Sequence, residues 1–432
     1  MKTKYLILGA GPAGLTFANT LLKKGETDFI VIEKESEPGG LCRSADVDGS
    51  PLDIGGGHFL DVRRPSVCKF LFEYLPEKEW ERYDRDSRIR ISLLPNADSA
   101  KKKEYELHHP FEANIWELPS ALQKRFLESI ADAGCNTGEP KPEKFTDWIT
   151  WKLGSEIAKE YMLPYNRKMF GGNLNELGTY WLEKLPNVSY EETLESCKQK
   201  KALGSQPGHA QFYYPKKYGY GEVWIRMGDA LGDKLKLNET VTKLDCMNCE
   251  AYLSDGGVIS ADTIIVTVPW NTMELMWAPS IIKNSIKILK KTSVEITYLE
   301  DAPDTDAQWI YYPDEDLSYH RILVRGNFYK GAKGCWSETR SERYDNYDQL
   351  AITEDQASGG EVAVGSQDKR INFHNEYAYP VNTIAKPQAI GKILDFAAKS
   401  HIYGLGRWGE HDHFNSDVTV ERAVKLAEKL LG

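Results

Sequence analysis

Near its start the chain has a run of apolar residues, Tyr5–Leu8. In the segment that follows, apolar residues recur every three to four positions. A short apolar run before a period of 3.6 residues predicts a buried strand and then an amphipathic helix. The stretch DFIVIEK, residues 28–34, predicts a second strand, so residues 5–34 predict a strand–helix–strand unit. The apolar positions of the helix are Leu15, Ala18, Leu21 and Leu22, and the pattern stops near Gly25.

Two later stretches continue this pattern. The sequence ADTIIVTVP, residues 261–269, is a largely apolar run, as is typical of a central strand in a parallel sheet. Asp255, Gly256 and Gly257 precede it and predict a hairpin turn. The last residues, NSDVTVERAVKLAEKLLG, predict an amphipathic helix with Ser416 or Asp417 as its N-cap.

The order of these patterns predicts a discontinuous nucleotide-binding domain. We expect this domain to contain residues 1–75, 206–290 and 385–432. The first insertion, residues 76–205, is predicted to be a largely helical substrate domain, and the second, residues 291–384, an antiparallel β-sheet substrate domain. The predicted fold class is therefore α/β, with a Rossmann-like domain that carries these two insertions.

Three glycines stand between the first strand and the first helix. Gly9, Gly11 and Gly14 have the spacing G-x-G-x-x-G, which lets the main chain approach a pyrophosphate at the positive end of the helix. Glu33 lies about twenty residues further on, where a carboxylate accepts hydrogen bonds from a ribose. Strand, turn, helix, strand and acid in this order indicate a dinucleotide site; a tight turn that binds nothing is the alternative.

Two further glycine clusters follow the acid. Gly39 and Gly40 come first, with Arg43 just beyond them. The stretch LDIGGGHF then places three consecutive glycines, Gly55–Gly57, before His58. Glycine weakens a strand and has no side chain to pack, so this triplet indicates that a ligand approaches the main chain closely.

These motifs resemble a superfamily of FAD proteins that includes amine oxidases, protoporphyrinogen oxidases and UDP-galactopyranose mutases. Further segments are most similar to the eukaryotic-type UDP-galactopyranose mutases, namely PFEANI (110–115), PYNRKMF (164–170) and GRWG (406–409). The resemblance is dispersed from residue 3 to about residue 425. It implies that FAD is the cofactor, held by a Rossmann-like FAD-binding domain, with the glycine triplet against the isoalloxazine ring.

The resemblance also implies which residues serve the cofactor and the reaction. Catalytic roles fall to His58, Arg321, Arg407 and His413; His58 and the arginines position flavin and substrate, and an imidazole such as His413 can move a proton near pH 7. The implied cofactor-binding residues are Gly9, Gly11, Pro12, Ala13, Gly14, Glu33, Lys34, Gly39, Gly40, Leu41, Arg43, Gly55, Gly56, Gly57, His58, Val241, Gly406, Arg407, Asn415, Asp417 and Val418.

A substrate site is implied in the same way. Tyr161 would stack on a nucleotide base beside Asn166, and Arg321 would hold a diphosphate or the sugar. The residues themselves leave another interpretation open. Tyr161, Tyr165, Asn166 and Phe170 stand at helical spacing, so we expect them to share one side of a helix, and such side chains usually form part of a core. Strand residues such as Arg321 can be ordinary surface or edge positions. The full implied set is Glu112, Tyr161, Asn166, Phe170, Tyr311, Arg321 and Tyr379.

The sequence departs from the family's pattern at this substrate site. Leu185 occupies the slot of a second arginine that grips the diphosphate, and Glu112 that of a glutamine that reads uracil. An ionised carboxylate only accepts hydrogen bonds, so Glu112 predicts that a UDP-sugar is not the preferred ligand; the alternative is that it faces solvent. The extra glycine leaves open whether Gly57 or His58 takes the place of the family's histidine.

Composition limits the partners of the 432-residue chain. The net charge of −10 disfavours a nucleic-acid partner, and the chain has no apolar run of 18 residues that predicts a membrane span. Seven scattered cysteines indicate a reducing compartment, and we expect a cytoplasmic protein. The C-x-x-C pair of Cys246 and Cys249 lacks a second ligand pair, so no metal is expected.

Three functions are compatible with these observations. The first is a flavin-dependent isomerase resembling UDP-galactopyranose mutase, which acts on a nucleotide-sugar through reduced FAD, with an external electron donor such as NAD(P)H. The second is an FAD oxidase or dehydrogenase of the amine oxidase or protoporphyrinogen oxidase type, in which the flavin accepts a hydride. The third is a flavin-bound protein without chemistry. Redox balance separates the first two, because a mutase needs prior reduction and shows no net turnover of electrons.

Overall fold

The chain folds into two compact units. A computed structural model describes residues 1–96, 99–182, 188–204, 210–344 and 371–432, so Leu185 lies outside the described residues. Unit 1 contains Met1–Arg82, Phe212–Lys291 and Tyr377–Gly432. Unit 2 contains Tyr83–Gln211 and Thr292–Glu376.

The described residues form helices and strands that alternate along much of the chain. The helices are α1 (Pro12–Lys23), α2 (Pro65–Phe72), α3 (Ser120–Ala131), α4 (Gly134–Thr137), α5 (Phe145–Ile157), α6 (Leu163–Phe170), α7 (Tyr190–Gln199), α8 (Gly221–Asp229), α9 (Ser280–Ile288), α10 (Ser341–Tyr344), α11 (Lys386–Ala398), α12 (Gly406–Gly409) and α13 (Ser416–Leu431). The strands are β1 (Lys2–Leu8), β2 (Phe29–Ile32), β3 (Ser44–Val47), β4 (Ser50–Asp53), β5 (Leu60–Asp61), β6 (Trp80–Asp84), β7 (Ser87–Leu93), β8 (Lys103–His108), β9 (Gln211–Pro215), β10 (Leu235–Lys236), β11 (Val241–Asp245), β12 (Glu250–Leu253), β13 (Val258–Val266), β14 (Glu274–Met276), β15 (Lys291–Leu299), β16 (Trp309–Tyr311), β17 (Arg321–Leu323), β18 (Cys335–Arg340), β19 (Ile371–Pro380) and β20 (Ile402–Gly404).

Unit 1 is built on a largely parallel sheet with the order β10-β2-β1-β13-β12-β11-β14, in which β20 also pairs with β13. Strand β1 runs parallel to β2 and to β13, with Tyr5 opposite both Phe29 and Thr263. The predicted strand–helix–strand unit and the predicted central parallel strand are therefore confirmed. Because β1 and β13 have neighbours on both sides, their apolar residues lie in the core, as Leu6, Ile264 and Val266 do.

The ends of two helices in unit 1 are set by local sequence. Helix α1 has Gly11 as its N-cap and Pro12 in its first turn, where the missing proline N–H costs no helical hydrogen bond. Helix α13 begins at Ser416 with Asn415 as its N-cap, so the expectation of Ser416 or Asp417 as the cap is wrong by one or two residues. Asn415 has extended backbone dihedrals, which is the conformation that an N-cap adopts.

Unit 2 combines both insertions. Its sheet has the order β19-β15-β18-β17-β16-β7-β8. Strand β7 comes from the first insertion and pairs in parallel with β16 of the second, with Ile89 opposite Tyr311. The hydrogen bonds of this ladder join the insertions into one unit, whereas we expected a helical domain and a separate β-sheet domain. Helices α3 and α5 contribute Phe126 and Ile157 to a core that also contains Ile89.

The cysteines and the helices add two findings. All seven cysteines are free thiols, and Cys246 follows β11 while Cys249 precedes β12. In the part of the chain that the structure describes, no group of three histidine, cysteine or acidic side chains could hold a metal ion. Within the same ranges, no helix is both long enough and apolar enough to cross a membrane.

Candidate functional site

The three glycines of the first motif have different structural roles in unit 1. Gly9 has a positive φ of 101°, which favours glycine. A Cβ added at Gly14 would lie 1.9 Å from the carbonyl oxygen of Gly9, so the close approach of helix and strand requires a glycine there. A Cβ added at Gly11 would have the Cα of Gly40 as its nearest protein neighbour, 3.9 Å away. The fold itself leaves room for a side chain at Gly11, which is the room a pyrophosphate needs.

Glu33 lies beside this glycine turn. One carboxylate oxygen accepts a hydrogen bond of 2.7 Å from the Ala10 amide, and the other accepts one of 3.0 Å from the Glu35 amide. The side chain is therefore fixed at the end of β2, and each oxygen keeps a further lone pair for a ribose hydroxyl. The adjacent Lys34 is exposed and pairs with Glu35 at 3.3 Å.

The second glycine pair is joined to the first motif by its main chain. The Gly39 amide donates to the Ala10 carbonyl at 2.8 Å, and a Cβ at Gly40 would lie 3.2 Å from the Cα of Gly11. Arg43 donates through Nε to the Gly40 carbonyl at 3.0 Å and reaches Glu35 at 3.3 Å. Arg43 thus holds the turn that contains Gly40 and Leu41.

The glycine triplet begins beside a buried acid that sequence reasoning missed. Asp53, the last residue of β4, is completely buried and accepts hydrogen bonds from the hydroxyls of Ser44 at 2.6 Å and Tyr214 at 3.0 Å. Burial raises the pKa of Asp53 to about 7, although these donors oppose the shift. Asp53 holds the start of the triplet, where Gly55 packs against the carbonyl of Leu41.

His58 follows the triplet, and its hydrogen bond defines its tautomer. Its Nδ1 lies 2.8 Å from the carbonyl oxygen of Gly56, which only accepts, so Nδ1 carries the proton. The ring stacks on Tyr220 with centroids 6.3 Å apart. In the neutral ring Nε2 is therefore an acceptor, which suits contact with an N–H group of a ligand.

The C-terminal glycine segment approaches the start of α1. Gly406 has a positive φ of 75°, and a Cβ there would lie 2.7 Å from the Cβ of Ala13. Nearby, Asp417 in the first turn of α13 is buried and pairs with Arg64 at 2.6 Å through Oδ2. Its Oδ1 is buried and has no hydrogen-bond partner among the described residues, so a ribityl hydroxyl would be a suitable donor to it.

Arg407 is held by main-chain carbonyls. Its Nε and Nη2 donate to the Phe414 carbonyl at 3.1 and 2.9 Å, and Nη1 donates to the Ala378 carbonyl at 3.1 Å. The guanidinium lies 5.9 Å from the ring centre of Tyr379, and Tyr379 in turn contacts the His413 ring at 4.9 Å. Unit 1 thus places three predicted residues, Arg407, Tyr379 and His413, together.

Other predicted cofactor residues lie at the edges of these elements in unit 1. Val241 begins β11 and packs against the core of the large sheet. Asn415 caps α13, and Val418 lies in the first turn of that helix. A polar cap and a helix N-terminus next to Gly406 are compatible with binding a phosphate or hydroxyl group.

Unit 2 contains the predicted substrate residues in and around what we call the aromatic cluster: Phe111, Tyr161, Tyr165 and Tyr311. Tyr161 is 5% exposed, lies on a π-helical turn (Ala158–Met162) and stacks on Phe111 at 5.4 Å and 18°. Tyr165 contacts Tyr161 at 6.0 Å and Tyr311 at 5.6 Å. A π-turn widens the helix and often occurs at functional sites. Because Tyr161 stacks on Phe111, one face of its ring is already covered by protein.

Glu112 is buried beside this cluster, with 8% of its surface exposed, so the alternative that it faces solvent is wrong. Burial raises the pKa of Glu112 to about 7. Burial raises the pKa of Tyr161, and the charge of the nearby Glu112 raises it further. Near neutral pH part of the population is protonated and can donate, which corrects the premise that Glu112 only accepts hydrogen bonds.

Asn166 and Phe170 do not share the side of α6 that we expected. Asn166 is buried, and its amide donates back to the Met162 carbonyl at 2.7 Å. Phe170 packs on Trp181 at 6.1 Å, away from the aromatic cluster. Phe170 is nine residues from Tyr161, or about two and a half helical turns, which places it on the opposite side of a helix.

Tyr311 and Arg321 form the predicted strand pair. They lie opposite each other on β16 and β17, which are interior strands of the sheet, so the alternative of edge residues is wrong. Arg321 donates through Nε and Nη2 to Glu338 at 3.1 and 2.6 Å, and Glu338 is completely buried. Tyr311 accepts a hydrogen bond from the indole of Trp309 at 2.9 Å.

Three charged or polar residues of unit 2 were not among the predicted site residues. The guanidinium of Arg85 lies 3.4 Å from the hydroxyl of Tyr311. The ring of His109 lies 5.1 Å from the ring of Tyr311, measured between their centroids. Lys168 is completely buried and donates to the carbonyls of Tyr312 at 2.7 Å and Asp314 at 2.8 Å. Burial lowers the pKa of Lys168 to about 7. A lysine or arginine in a short polar stretch carries no sign of such burial.

The features of unit 1 define a class of protein before any comparison. A glycine turn at a helix N-terminus, an acid after the second strand and two converging glycine segments fit a dinucleotide with a flat ring. The room at Gly11 and the buried Oδ1 of Asp417, which has no hydrogen-bond partner within the described residues, fit such a group. The class is that of flavoproteins with a Rossmann-like domain.

Two family models match the chain. Residues 7–74 match the NAD(P)-binding Rossmann-like domain, and residues 142–294 match the flavin containing amine oxidoreductase. These matches confirm the expected resemblance and the expected cofactor, FAD. Among curated proteins, probable polyamine oxidase 5 of Arabidopsis thaliana is 23% identical over 298 residues, 62% of this chain and 54% of that protein. An uncharacterized protein of Methanothermococcus thermolithotrophicus is 46% identical over 52 residues, 12% of this chain and 49% of that protein. The chain thus spans about half of the length of these relatives.

Solved structures define the fold more fully. Reduced UDP-galactopyranose mutase has a TM-score of 0.84 at 22% identity, covering 100% of this chain and 94% of that one. A putative protoporphyrinogen oxidase from Exiguobacterium sp. 255-15 has a TM-score of 0.67 at 12% identity, covering 99% and 98%. Putrescine oxidase bound to putrescine has a TM-score of 0.61 at 14% identity, covering 100% and 99%. The chain therefore has the fold that these three proteins share.

Proposed function

We propose that the protein is an FAD-dependent enzyme that isomerises a small anionic substrate, a nucleotide-sugar, without net redox change. The fold overlap with UDP-galactopyranose mutase over the whole chain supports this proposal. The free thiols are compatible with a cytoplasmic setting, where a donor such as NAD(P)H would reduce the flavin.

The observation that carries the proposal is the positive charge beside the aromatic cluster of unit 2. Arg85 is half-buried, and the charge of Arg321, which also pairs with Glu338, lowers the pKa of Arg85 further, so the two guanidinium groups lie within electrostatic range. Such a field attracts a phosphate and repels a protonated amine. This argues against the substrates of amine and polyamine oxidases, which are cations at neutral pH.

The residues of each unit have separate tasks in this proposal. When bound, FAD supplies a nucleophilic nitrogen in its reduced state or a hydride acceptor in its oxidised state. In unit 1, the main chain at Gly11 and Gly406 holds the cofactor, and His413 is the candidate to move a proton. In unit 2, the aromatic cluster stacks on the substrate, and Glu112 contacts its polar edge.

An oxidoreductase is the second candidate, and one observation favours it. The flavin containing amine oxidoreductase model matches residues 142–294, and the polyamine oxidase of Arabidopsis aligns with 62% of the chain. In that case oxidised FAD would take a hydride from an uncharged or anionic substrate, because the field in unit 2 still disfavours an amine.

The experiment that tests the proposal follows flavin absorbance and product together without air. Dithionite-reduced protein is incubated with UDP-galactopyranose and, in parallel, with other nucleotide-sugars, and the sugars are separated by chromatography. A ring isomer that accumulates while the flavin stays reduced supports the proposal. Bleaching of oxidised protein by putrescine or another reductant substrate, with no isomer formed by reduced protein, would establish the oxidoreductase instead.

A further inference from the structure

We propose that Asp53 is a positioning residue for the flavin of FAD: its carboxylate holds the glycine triplet and His58 in one arrangement, and its charge makes the bound flavin harder to reduce. The residues that the family resemblance implies for the site do not include Asp53. The inference rests on the proposed cofactor site of unit 1 and is independent of the substrate, so it applies to an isomerase and to an oxidoreductase alike.

The carboxylate of Asp53 collects hydrogen bonds from four separate segments of unit 1. The hydroxyl of Ser44 on β3 donates at 2.6 Å, and the hydroxyl of Tyr214 on β9 donates at 3.0 Å. The main-chain amide of Tyr220, just before α8, donates at 3.3 Å, and the amide of His58 is the fourth donor. All four groups donate, so they match an ionised carboxylate, which only accepts.

Asp53 also closes the loop that contains the triplet. Its carbonyl accepts a hydrogen bond from the Gly56 amide at 3.1 Å, and its side chain accepts one from the His58 amide just beyond the triplet. Gly56 has a positive φ of 95°. A glycine-rich segment has many accessible conformations, so a fixed shape costs entropy. The tie between Asp53 and His58 therefore selects one shape for the triplet.

The loop that Asp53 holds packs directly on the dinucleotide turn. A Cβ added at Gly55 would lie 2.0 Å from the carbonyl oxygen of Leu41, and one added at Gly40 would lie 3.2 Å from the Cα of Gly11. These main-chain contacts leave no room for the loop to move without displacing the turn. The arrangement that Asp53 fixes is thus continuous with the first glycine motif.

The buried thiol of Cys42 shows how far the charge of Asp53 reaches. Burial raises the pKa of Cys42; the charge of Arg407 opposes this shift, and the charge of Asp53 adds to it. Arg407 follows Gly406, so the negative charge lies within electrostatic range of the C-terminal glycine segment as well. Burial also raises the pKa of Tyr220, so neither the thiol nor this phenol adds a charge at pH 8.5. A negative charge near a flavin disfavours the uptake of electrons by its ring.

Asp245 provides a matched control for Asp53. It is the buried last residue of β11 and likewise holds a turn, by accepting hydrogen bonds from two main-chain amides at 2.8 and 2.9 Å. The strand registers place Asp245 level with Lys2 at the start of β1. The glycine turn follows the other end of β1, about 20 Å further along the strand. Asp245→Asn therefore removes a comparable buried acid far from the cofactor segments.

The test compares Asp53→Asn with Asp245→Asn in the full chain at pH 8.5, above the pKa of about 7 that Asp53 has in the fold. FAD affinity is measured by fluorescence titration of the apoprotein, and the reduction equilibrium of the bound flavin by titration against a dye of known potential without air. We expect Asp53→Asn to weaken FAD binding by about 10- to 100-fold, because it replaces a charged acceptor of four hydrogen bonds. We expect it to favour the reduced flavin by about tenfold, which is about 30 mV for a two-electron couple. Asp245→Asn should leave both quantities unchanged.

Tyr214→Phe decides the question if Asp53→Asn yields no folded, FAD-loaded protein. It removes one donor and leaves the charge of Asp53 in place. We expect FAD binding to weaken by about threefold or more, because a hydrogen bond to a charged group is lost, while the reduction equilibrium stays unchanged. Circular dichroism like that of the wild type confirms folding. Unchanged FAD affinity in Tyr214→Phe overturns the inference, and so does an unchanged reduction equilibrium in folded Asp53→Asn, which would leave Asp53 a purely structural role.

Gly11→Ala separates this inference from the proposed cofactor site. If Gly11→Ala weakens FAD binding and Asp53→Asn does not, the site stands and the inference about Asp53 is wrong. If neither variant changes FAD binding, the cofactor does not bind at these segments, and the site and the inference are both wrong.

Discussion

At the scale of single residues, Glu112 is the acid whose behaviour the fold changes in a measurable way. Its pKa rises from 4.5 to about 7 because it is buried. Between these values the unfolded chain releases a proton that the folded chain retains, so this group lowers stability as pH rises from about 4.5 to 7. Glu112→Gln removes that loss. We expect the variant to match the wild type near pH 4 and to exceed it by about 1–3 kcal/mol at pH 8.

Urea unfolding over this pH range measures the effect. Glu128→Gln is the control, because Glu128 is exposed on α3 and forms a solvent-exposed ion pair with Lys124 at 3.7 Å, and we expect it to change stability by less than about 0.5 kcal/mol. Parallel stability curves for Glu112→Gln and the wild type would contradict the burial that the structure gives to Glu112.

At the scale of elements, Lys168 ties α6 to the segment after β16. Its ammonium donates to the carbonyls of Tyr312 and Asp314, so Lys168→Met removes two hydrogen bonds made by a completely buried group. We expect the variant to lose about 1–3 kcal/mol of stability. The adjacent Arg167→Met removes a surface pair with Glu315 and should cost less than about 1 kcal/mol. If Lys168→Met and Arg167→Met lower the melting temperature equally, the buried hydrogen bonds of Lys168 add no stability beyond that of a surface ion pair.

At the scale of the whole molecule, local patterns predicted more than distant contacts. The period of residues 5–34 and the run at 261–269 were sufficient for the parallel sheet, because neighbouring residues alone determine such patterns. Asp53 and Arg85 were missed because their surroundings depend on partners far along the chain, as with Tyr311 beside Arg85. Phe170 was misplaced because its helical angle from Tyr161 was not followed over two turns.

The proposed cofactor site joins the two ends of the chain within unit 1, since Gly11 lies beside Gly40 and Gly406 packs against Ala13. A ligand that binds only this folded arrangement stabilises it, by about 4 kcal/mol at a thousandfold excess over its dissociation constant. Gly11→Ala places a methyl group where protein atoms leave room. We therefore expect an apoprotein as stable as the wild type to within about 1 kcal/mol, with FAD affinity reduced at least about tenfold.

Thermal unfolding with and without added FAD separates the ligand from the fold. The wild type should melt at a higher temperature with FAD, and Gly11→Ala should lose most of that shift. Gly14→Ala should lower the melting temperature even without FAD, because its Cβ meets the Gly9 carbonyl at 1.9 Å. Gly391→Ala in α11 meets no atom within 4 Å and should keep the full shift. A full FAD shift in Gly11→Ala would mean that the dinucleotide does not pass over this turn, and the assignment of the cofactor site to unit 1 would be wrong.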